Sequence, residues 1–259
     1  MPADAVPALH EDPPPPSTSP TSDTVDRYLE VIFYVAHEGE KVRPSRLAEW
    51  LGVSAPTVSV QLQRLRRDGW VAIAPDRSVS LTPDGEAVAT HIVKRHRLLE
   101  RWLTDVLELD WATADAEAGR MAHGVSDLVL ERIDERLGRP LTCPHGNGIP
   151  GRRLPERVLV ALPDLEPRTR ARVARISEVA EHEAPELLAF LDSHHLVPGA
   201  EVEIEELEAG AGALAVRVGG ELVALATQRA RVIWVEDISQ GESASSAGAP
   251  RTSLQDDLG

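Results

Sequence analysis

The chain has 259 residues, enough for two or three small domains, and 42% of them are hydrophobic, so real cores can form. A single cysteine, Cys143, excludes an internal disulfide and suits a reducing compartment. No apolar run approaches the roughly 18 residues of a membrane span, and the start of the chain has neither a basic stretch nor an apolar one, so a cytoplasmic protein without signal peptide or membrane contact is expected.

The net charge of −15 sits poorly with nucleic-acid binding until its distribution is read. Residues 41–77 carry seven basic side chains (Lys41, Arg43, Arg46, Arg64, Arg66, Arg67, Arg77) against three acids. Residues 156–238 carry eight arginines against sixteen acids. The acid is concentrated away from the basic segment, and a local patch decides phosphate contact more than the total does.

Residues 1–22 hold seven prolines and read as a Pro-rich disordered arm. A first helix begins near Asp23, with Leu29, Ile32, Phe33 and Ala36 at helical spacing and Gly39 as its stop. A short second helix follows Pro44, with Leu47, Ala48 and Leu51 facing inward, and ends at Gly52. Ser54 caps a third helix that has Pro56 in its first turn and Val58, Leu62 and Leu65 on one face. Two β-like segments, 70–74 and 78–81, flank Pro75-Asp76-Arg77. Three helices and a hairpin in this order form the winged helix-turn-helix pattern, assigned to residues 23–90.

A long helix is expected from Pro83 to about Leu107, and another from Trp111 to Leu137, broken near Gly119 or Gly124. Val125, Leu128, Val129 and Ile133 make a face suited to a partner helix, so residues 91–140 are assigned to homodimerisation. Residues 141–155, rich in Pro and Gly, read as a linker. Short β-like runs at 157–162, 201–207, 213–218, 221–226 and 232–235, with one helix near 185–193, suggest a small barrel over 156–238. The tail 239–259 is Gly/Ser/Ala-rich and reads as disordered.

The exposed face of the third helix offers Ser54, Thr57, Ser59, Gln61, Gln63 and Arg64 to base edges, with Ala55 and Pro56 placed for thymine methyls. Arg77 at the hairpin tip and Arg46 in the second helix add phosphate contacts. No nucleophile elbow, P-loop, dinucleotide fingerprint or His-Glu-x-x-His pair is present, so an enzyme with a small-molecule substrate is not expected.

The stretch Val53-Ser54-Ala55-Pro56-Thr57-Val58-Ser59, then Arg67-Asp68-Gly69, Asp76-Arg77-Ser78, Leu81-Thr82-Pro83 and Gly85, resembles the diphtheria-toxin-repressor family of iron- and manganese-dependent regulators. Lys94-Arg95-His96-Arg97-Leu98-Leu99-Glu100-Arg101, His123, Ser126-Asp127, Cys143-Pro144-His145-Gly146-Asn147, Ile149-Pro150-Gly151 and Val197-Pro198-Gly199 continue the likeness over roughly 23–237. The resemblance implies a mainly α protein with small β parts: a winged helix, a helical dimerisation and metal-binding domain, and an SH3-like (FeoA-like) β-barrel. It implies a homodimer that binds a palindromic DNA operator when loaded with Fe²⁺ or Mn²⁺.

The resemblance also implies ligands. An ancillary site would use His96, Glu100 four residues on, Asp115, and from the barrel Glu178 and Glu181; this oxygen-rich set suits Mn²⁺ or Fe²⁺. At the family's primary site this chain departs: the matching positions are Arg27, Gly119, Ala122 and His123, and only His123 can coordinate. Glu30 matches a position used by some manganese-type relatives. One site per subunit is therefore expected rather than two, with Arg27 a candidate fixed charge in place of the cation. Cys143 and His145 are read as part of a rigid linker turn. Two rival readings stay open: a regulator uncoupled from metal, acting constitutively or on another ligand, and a metal-buffering or docking module without DNA affinity.

Overall fold

The computed structural model describes residues 22–239, apart from 179, 181–183 and 209–211, and apart from the side chains of 206–208. The expected arm and tail, save Ser22 and Ser239, lie outside these residues, as does Glu181.

The first unit contains helices α1 (Asp23–His37), α2 (Pro44–Leu51) and α3 (Ala55–Arg67) and the hairpin β1 (Val71–Ile73) and β2 (Val79–Leu81). Ser54 caps α3 by accepting from the Thr57 N–H at 3.3 Å. Leu29, Ile32, Leu47, Val58 and Leu65 are fully buried between the helices and the hairpin. The hairpin turn closes with Arg77 at φ 65°, a left-handed conformation. Asp76 holds it there, accepting from the Ser78 N–H at 3.1 Å, from the Ser78 hydroxyl at 2.7 Å, and from Lys41.

Helix α4 (Pro83–Asp105) runs unbroken across residue 90, the expected domain boundary. Val88, Ala89, Ile92 and Val93 pack into the winged-helix core, whereas Leu98, Leu99 and Leu103 pack into the next. One rigid rod therefore belongs to two cores. Helices α5 (Trp111–Met121) and α6 (Asp127–Arg136) complete the second core. The break between them falls at 122–126, where Arg95 donates to the carbonyls of Ala122 and Val125 and to Asp127. Of the expected partner face, Leu128 and Val129 are exposed at 63% and 48%, while Val125 and Ile133 face this chain's own core.

The third unit is a six-stranded antiparallel sheet in the order β3-β8-β4-β5-β6-β7. Its strands are β3 (Val160–Ala161), β4 (Arg170–Ile176), β5 (Glu201–Glu208), β6 (Ala213–Val218), β7 (Glu221–Ala226) and β8 (Ile233–Asp237). Helix α7 (Pro185–Ser193) and the short α8 (Thr227–Ala230) accompany it. Strand β4 is absent from the sequence reading. Its Arg-Ala-Arg-Val start alternates and buries Ala171 and Val173, but the register shift between Val173 and Arg175 brings Ile176 to the buried side one residue late, which breaks the two-residue period. Register shifts in β4 and β5 mark bulges, which bend a sheet.

The stretch expected to be a linker is an ordered loop. Thr142 bridges Gly148, the Cys143 N–H donates to the Asn147 carbonyl at 2.8 Å, and the Gly146 N–H donates to the Cys143 carbonyl at 3.0 Å. Cys143, His145, Asn147 and Ile149 are buried. The loop docks on β4: the Ile176 N–H donates to the His145 carbonyl at 2.8 Å, and the Asn147 amide donates to the Ile176 carbonyl at 2.9 Å. Gly146 lies at φ 87°, and a Cβ there would sit 2.2 Å from the Ala174 carbonyl, so only glycine permits this approach.

Candidate metal centre and nucleic-acid interface

Two polar clusters lie one turn apart on α4. In the first, His96 Nε2 is 3.0 Å from Asp115 Oδ1 at the start of α5, and His96 Nδ1 is 3.6 Å from Glu30 Oε1 on α1. Glu30 also accepts from the Tyr34 hydroxyl at 3.0 Å. Burial disfavours charge on His96, but the Asp115 hydrogen bond and the carboxylates of Glu30, Asp115 and Glu100 outweigh it, and the pKa is pushed up to about 10. His96 is thus an imidazolium at neutral pH, bridging α1 and α5, and a cation here would have to displace its proton.

The second cluster is buried. Glu100, Cys143 and His145 each offer a ligand atom, and these atoms lie within 4.8 Å of one another. His145 Nδ1 is 2.7 Å from Glu100 Oε1, with side chains 0% and 1% exposed. The Trp111 ring meets His145 edge-on with centroids 4.5 Å apart. Carboxylate, imidazole and thiol, all buried, form a donor set that fits a divalent cation. The thiol makes it softer than the all-oxygen-and-imidazole set expected from the sequence.

The expected set is therefore divided. His96 and Asp115 meet, with Glu30 beside them, and Glu100 turns to Cys143 and His145. Glu178 turns instead to Arg97, which also donates to the Gly148 carbonyl and lies 5.9 Å from the Phe33 ring centroid. Glu38, at the end of α1, receives the Arg175 guanidinium at 2.6 Å and the Glu178 N–H at 3.1 Å. The sheet is thus tied to the winged helix through Glu38, and the second carboxylate oxygen of Glu178 is buried without a hydrogen-bond partner.

At the departed positions, Gly119 stands beside the His96 ring, with 4.0 Å between its would-be Cβ and His96 Cε1. His123 Nδ1 is 3.2 Å from Asp26 Oδ2 and 4.0 Å from Asp23 Oδ1. Arg27 is exposed and has no ion pair among the described residues, so it does not fill a cation's place in this structure.

On the nucleic-acid side, Ser54, Ala55, Pro56, Thr57, Ser59, Gln63 and Arg64 are exposed along α3, Gln61 is half-buried at its edge, and Arg77 projects from the wing. Arg46 is held within its own neighbourhood, 3.2 Å from Glu40, 3.5 Å from Glu49 and over the Trp50 ring at 5.3 Å. It is less free to meet phosphate than the sequence suggested. No helix among the described residues is long and apolar enough to cross a membrane.

Comparison with known proteins follows the same three units. Residues 20–79 match the iron-dependent repressor N-terminal DNA-binding domain, residues 82–151 its metal-binding and dimerisation domain, and residues 160–237 the FeoA domain. The chain is 34% identical over 226 residues to the diphtheria toxin repressor of Corynebacterium diphtheriae, covering 83% of this chain and 98% of that one. It is 35% identical over 227 residues to the iron-dependent repressor IdeR of Mycobacterium tuberculosis, covering 83% and 98%. A solved structure described as a manganese-dependent transcriptional repressor in complex with manganese superposes with TM-score 0.74 at 33% identity, over 83% of this chain and 100% of that one. The manganese regulator SloR superposes at 0.67 with 30% identity, over 82% and 98%. With DNA-binding, metal-binding and FeoA units in the same order and over nearly full length, the chain belongs to the iron-dependent repressor family of metal-dependent, DNA-binding transcriptional repressors, which are not enzymes.

Proposed function

We propose that this protein acts in the cytoplasm as a homodimer on a palindromic operator, and that its DNA affinity responds to Mn²⁺ or Fe²⁺ held by Glu100, Cys143 and His145. The observation that carries this reading is the buried carboxylate–thiol–imidazole set on the one helix shared by the winged helix and the second core. When bound, the cation would supply positive charge to the donor atoms of Glu100, Cys143 and His145. Glu100 fixes the second half of α4, while Cys143 and His145 fix the loop seated on β4. The first half of α4 packs under the winged helix, so the pose of this rod sets where α3 stands relative to the dimer partner. Exposed Leu128 and Val129 on α6, with Val106 and Leu107 at 49% and 48%, support an apolar dimer contact.

Gly119 and Ala122 bring no donor to the departed positions, which supports a single responsive centre per chain rather than two. The test is fluorescence anisotropy on duplexes from the protein's own promoter region, in chelator and with Mn²⁺ or Fe²⁺ restored. Binding that tightens with metal in the wild type, but not in Cys143→Ser or His145→Ala, is expected. Equal affinity in chelator and in metal would overturn the reading and leave a metal-uncoupled regulator.

A further inference from the structure

Val60 stands on α3 with 72% of its surface exposed. Val58, Leu62 and Leu65 define the buried side of this helix. At 100° per residue the opposite side is centred on Pro56, Val60, Gln63 and Arg67. Val60 is thus at the middle of the outward face. The fold gains nothing from it there. A β-branched side chain is a weak helix former, and an exposed isopropyl group stays in water.

Its surroundings decide what it fits. Ala55, Pro56, Ser59 and Gln63 are small or polar and exposed, so the apolar surface is one side chain with a short ridge, too small for a protein interface. Arg64, Arg66 and Arg67 fill the last turn of the same helix and are exposed, with Arg77 on the wing. An isolated apolar group on a helix whose last turn is basic, although Asp68 takes up Arg67 at 2.8 Å and Arg64 at 3.8 Å, matches an isolated methyl on the floor of a groove walled by phosphates. In duplex DNA the C5 methyl of thymine is that group, and it lies in the major groove.

Resting on the DNA-binding reading above, we propose that Val60 is a specificity-determining residue that reads a thymine methyl, and that the operator carries thymine opposite it in each half-site. Ser59 and Gln63 flank it with hydrogen-bonding groups for the neighbouring base edges.

The test selects duplexes from a random library with the full-length protein in Mn²⁺, then replaces each thymine of the selected sequence by deoxyuridine, which removes only the methyl. For the wild type, one position per half-site is expected to lose roughly fourfold in affinity, the worth of one buried methyl-sized group. In Val60→Ala, which leaves the core untouched, the same replacement is expected to have no effect. Val60→Ile is expected to keep the sensitivity, and Val60→Gln to move the preference from thymine to adenine. Equal deoxyuridine effects in wild type and Val60→Ala, or none in either, would overturn the assignment while leaving DNA binding intact. Failure to select any duplex, in metal or in chelator, would instead overturn the DNA-binding reading itself.

Discussion

The two polar clusters on α4 differ in what they have left to give. His96 is 12% exposed and already serves two carboxylates as an imidazolium, so its charge is balanced by protein alone. Glu100 and His145 are sealed from water beside a thiol, so carboxylate, imidazole and sulfur meet in one buried spot with His145 Nδ1 2.7 Å from Glu100 Oε1. One helical turn separates a cluster whose imidazole already faces two carboxylates from one in which carboxylate, thiol and imidazole share a buried spot. A His and a Glu four residues apart look like one site on a helix face. Here His96 meets Asp115 and Glu30, while Glu100, whose charge still reaches His96, is also met by His145 of the 143–148 loop at 2.7 Å.

The largest effect expected concerns the buried ion pair that Glu178 makes with Arg97. Arg97 and Glu178 are buried at 8% and 6% side-chain exposure. Arg97→Met leaves a buried carboxylate without its cation, and a loss of about 3–5 kcal/mol in urea unfolding is expected. Adding Glu178→Leu should restore most of it, since an apolar pair can replace a buried ion pair. A double variant as unstable as the single one would show that Arg97 acts through Phe33 and Gly148 instead.

The metal comparison comes next. His145→Ala is expected to weaken Mn²⁺ binding by more than roughly 100-fold in calorimetry, beyond the usual loss when only a supporting partner is removed. His96→Gln is expected to cost no more than about tenfold, because it alters the electrostatics one turn away. If His96→Gln proves the more damaging, the His96 cluster is the sensor instead.

A smaller effect tests the tie between sheet and winged helix. Glu38 is 7% exposed and receives both Arg175 and the Glu178 backbone. Glu38→Gln keeps the shape and removes the charge, and faster amide exchange at Ile176, Ser177 and Glu178 is expected, with helices α2 and α3 unchanged. Unchanged exchange at those three amides would place the tie in the loop contacts of His145 and Asn147.

How much of this was legible depends on the range of the interactions. The cap at Ser54, the stops at Gly39 and Gly52, and the apolar period of α3 are local, so the winged helix reads directly from the chain. The metal-binding potential of His96, Glu100 and Asp115 is legible as residue type. Their division is not, because it is set by a loop more than forty positions downstream of Glu100. Pro144, Gly146 and Gly148 make that loop look like a linker, yet Gly146 is there to let the loop touch β4, and Cys143 and His145 two positions apart were the signal available. Strand β4 hid behind the register shift that breaks its period. Val60 was passed over because an apolar residue in a helix is ordinarily assigned to the core.

Gly119 sits within α5 without interrupting it. Its φ is not in the left-handed region, and the nearest atom to a Cβ there would be His96 Cε1 at 4.0 Å, ordinary van der Waals contact. Gly119→Ala should therefore stabilise the protein by about 0.5–1 kcal/mol through helix propensity, read as a small rise in Tm. It adds no donor, so the metal response of DNA binding should stay as in the wild type. Gly119→Glu has the same backbone advantage but brings a third carboxylate to His96, Asp115 and Glu30. If the His96 cluster lacks only a ligand, this variant should bind a second Mn²⁺ in calorimetry while His145→Ala in the same background still binds one. If no second ion binds, His96 is committed to its proton and its two carboxylates, and the glycine marks a site that the fold has replaced by a salt bridge.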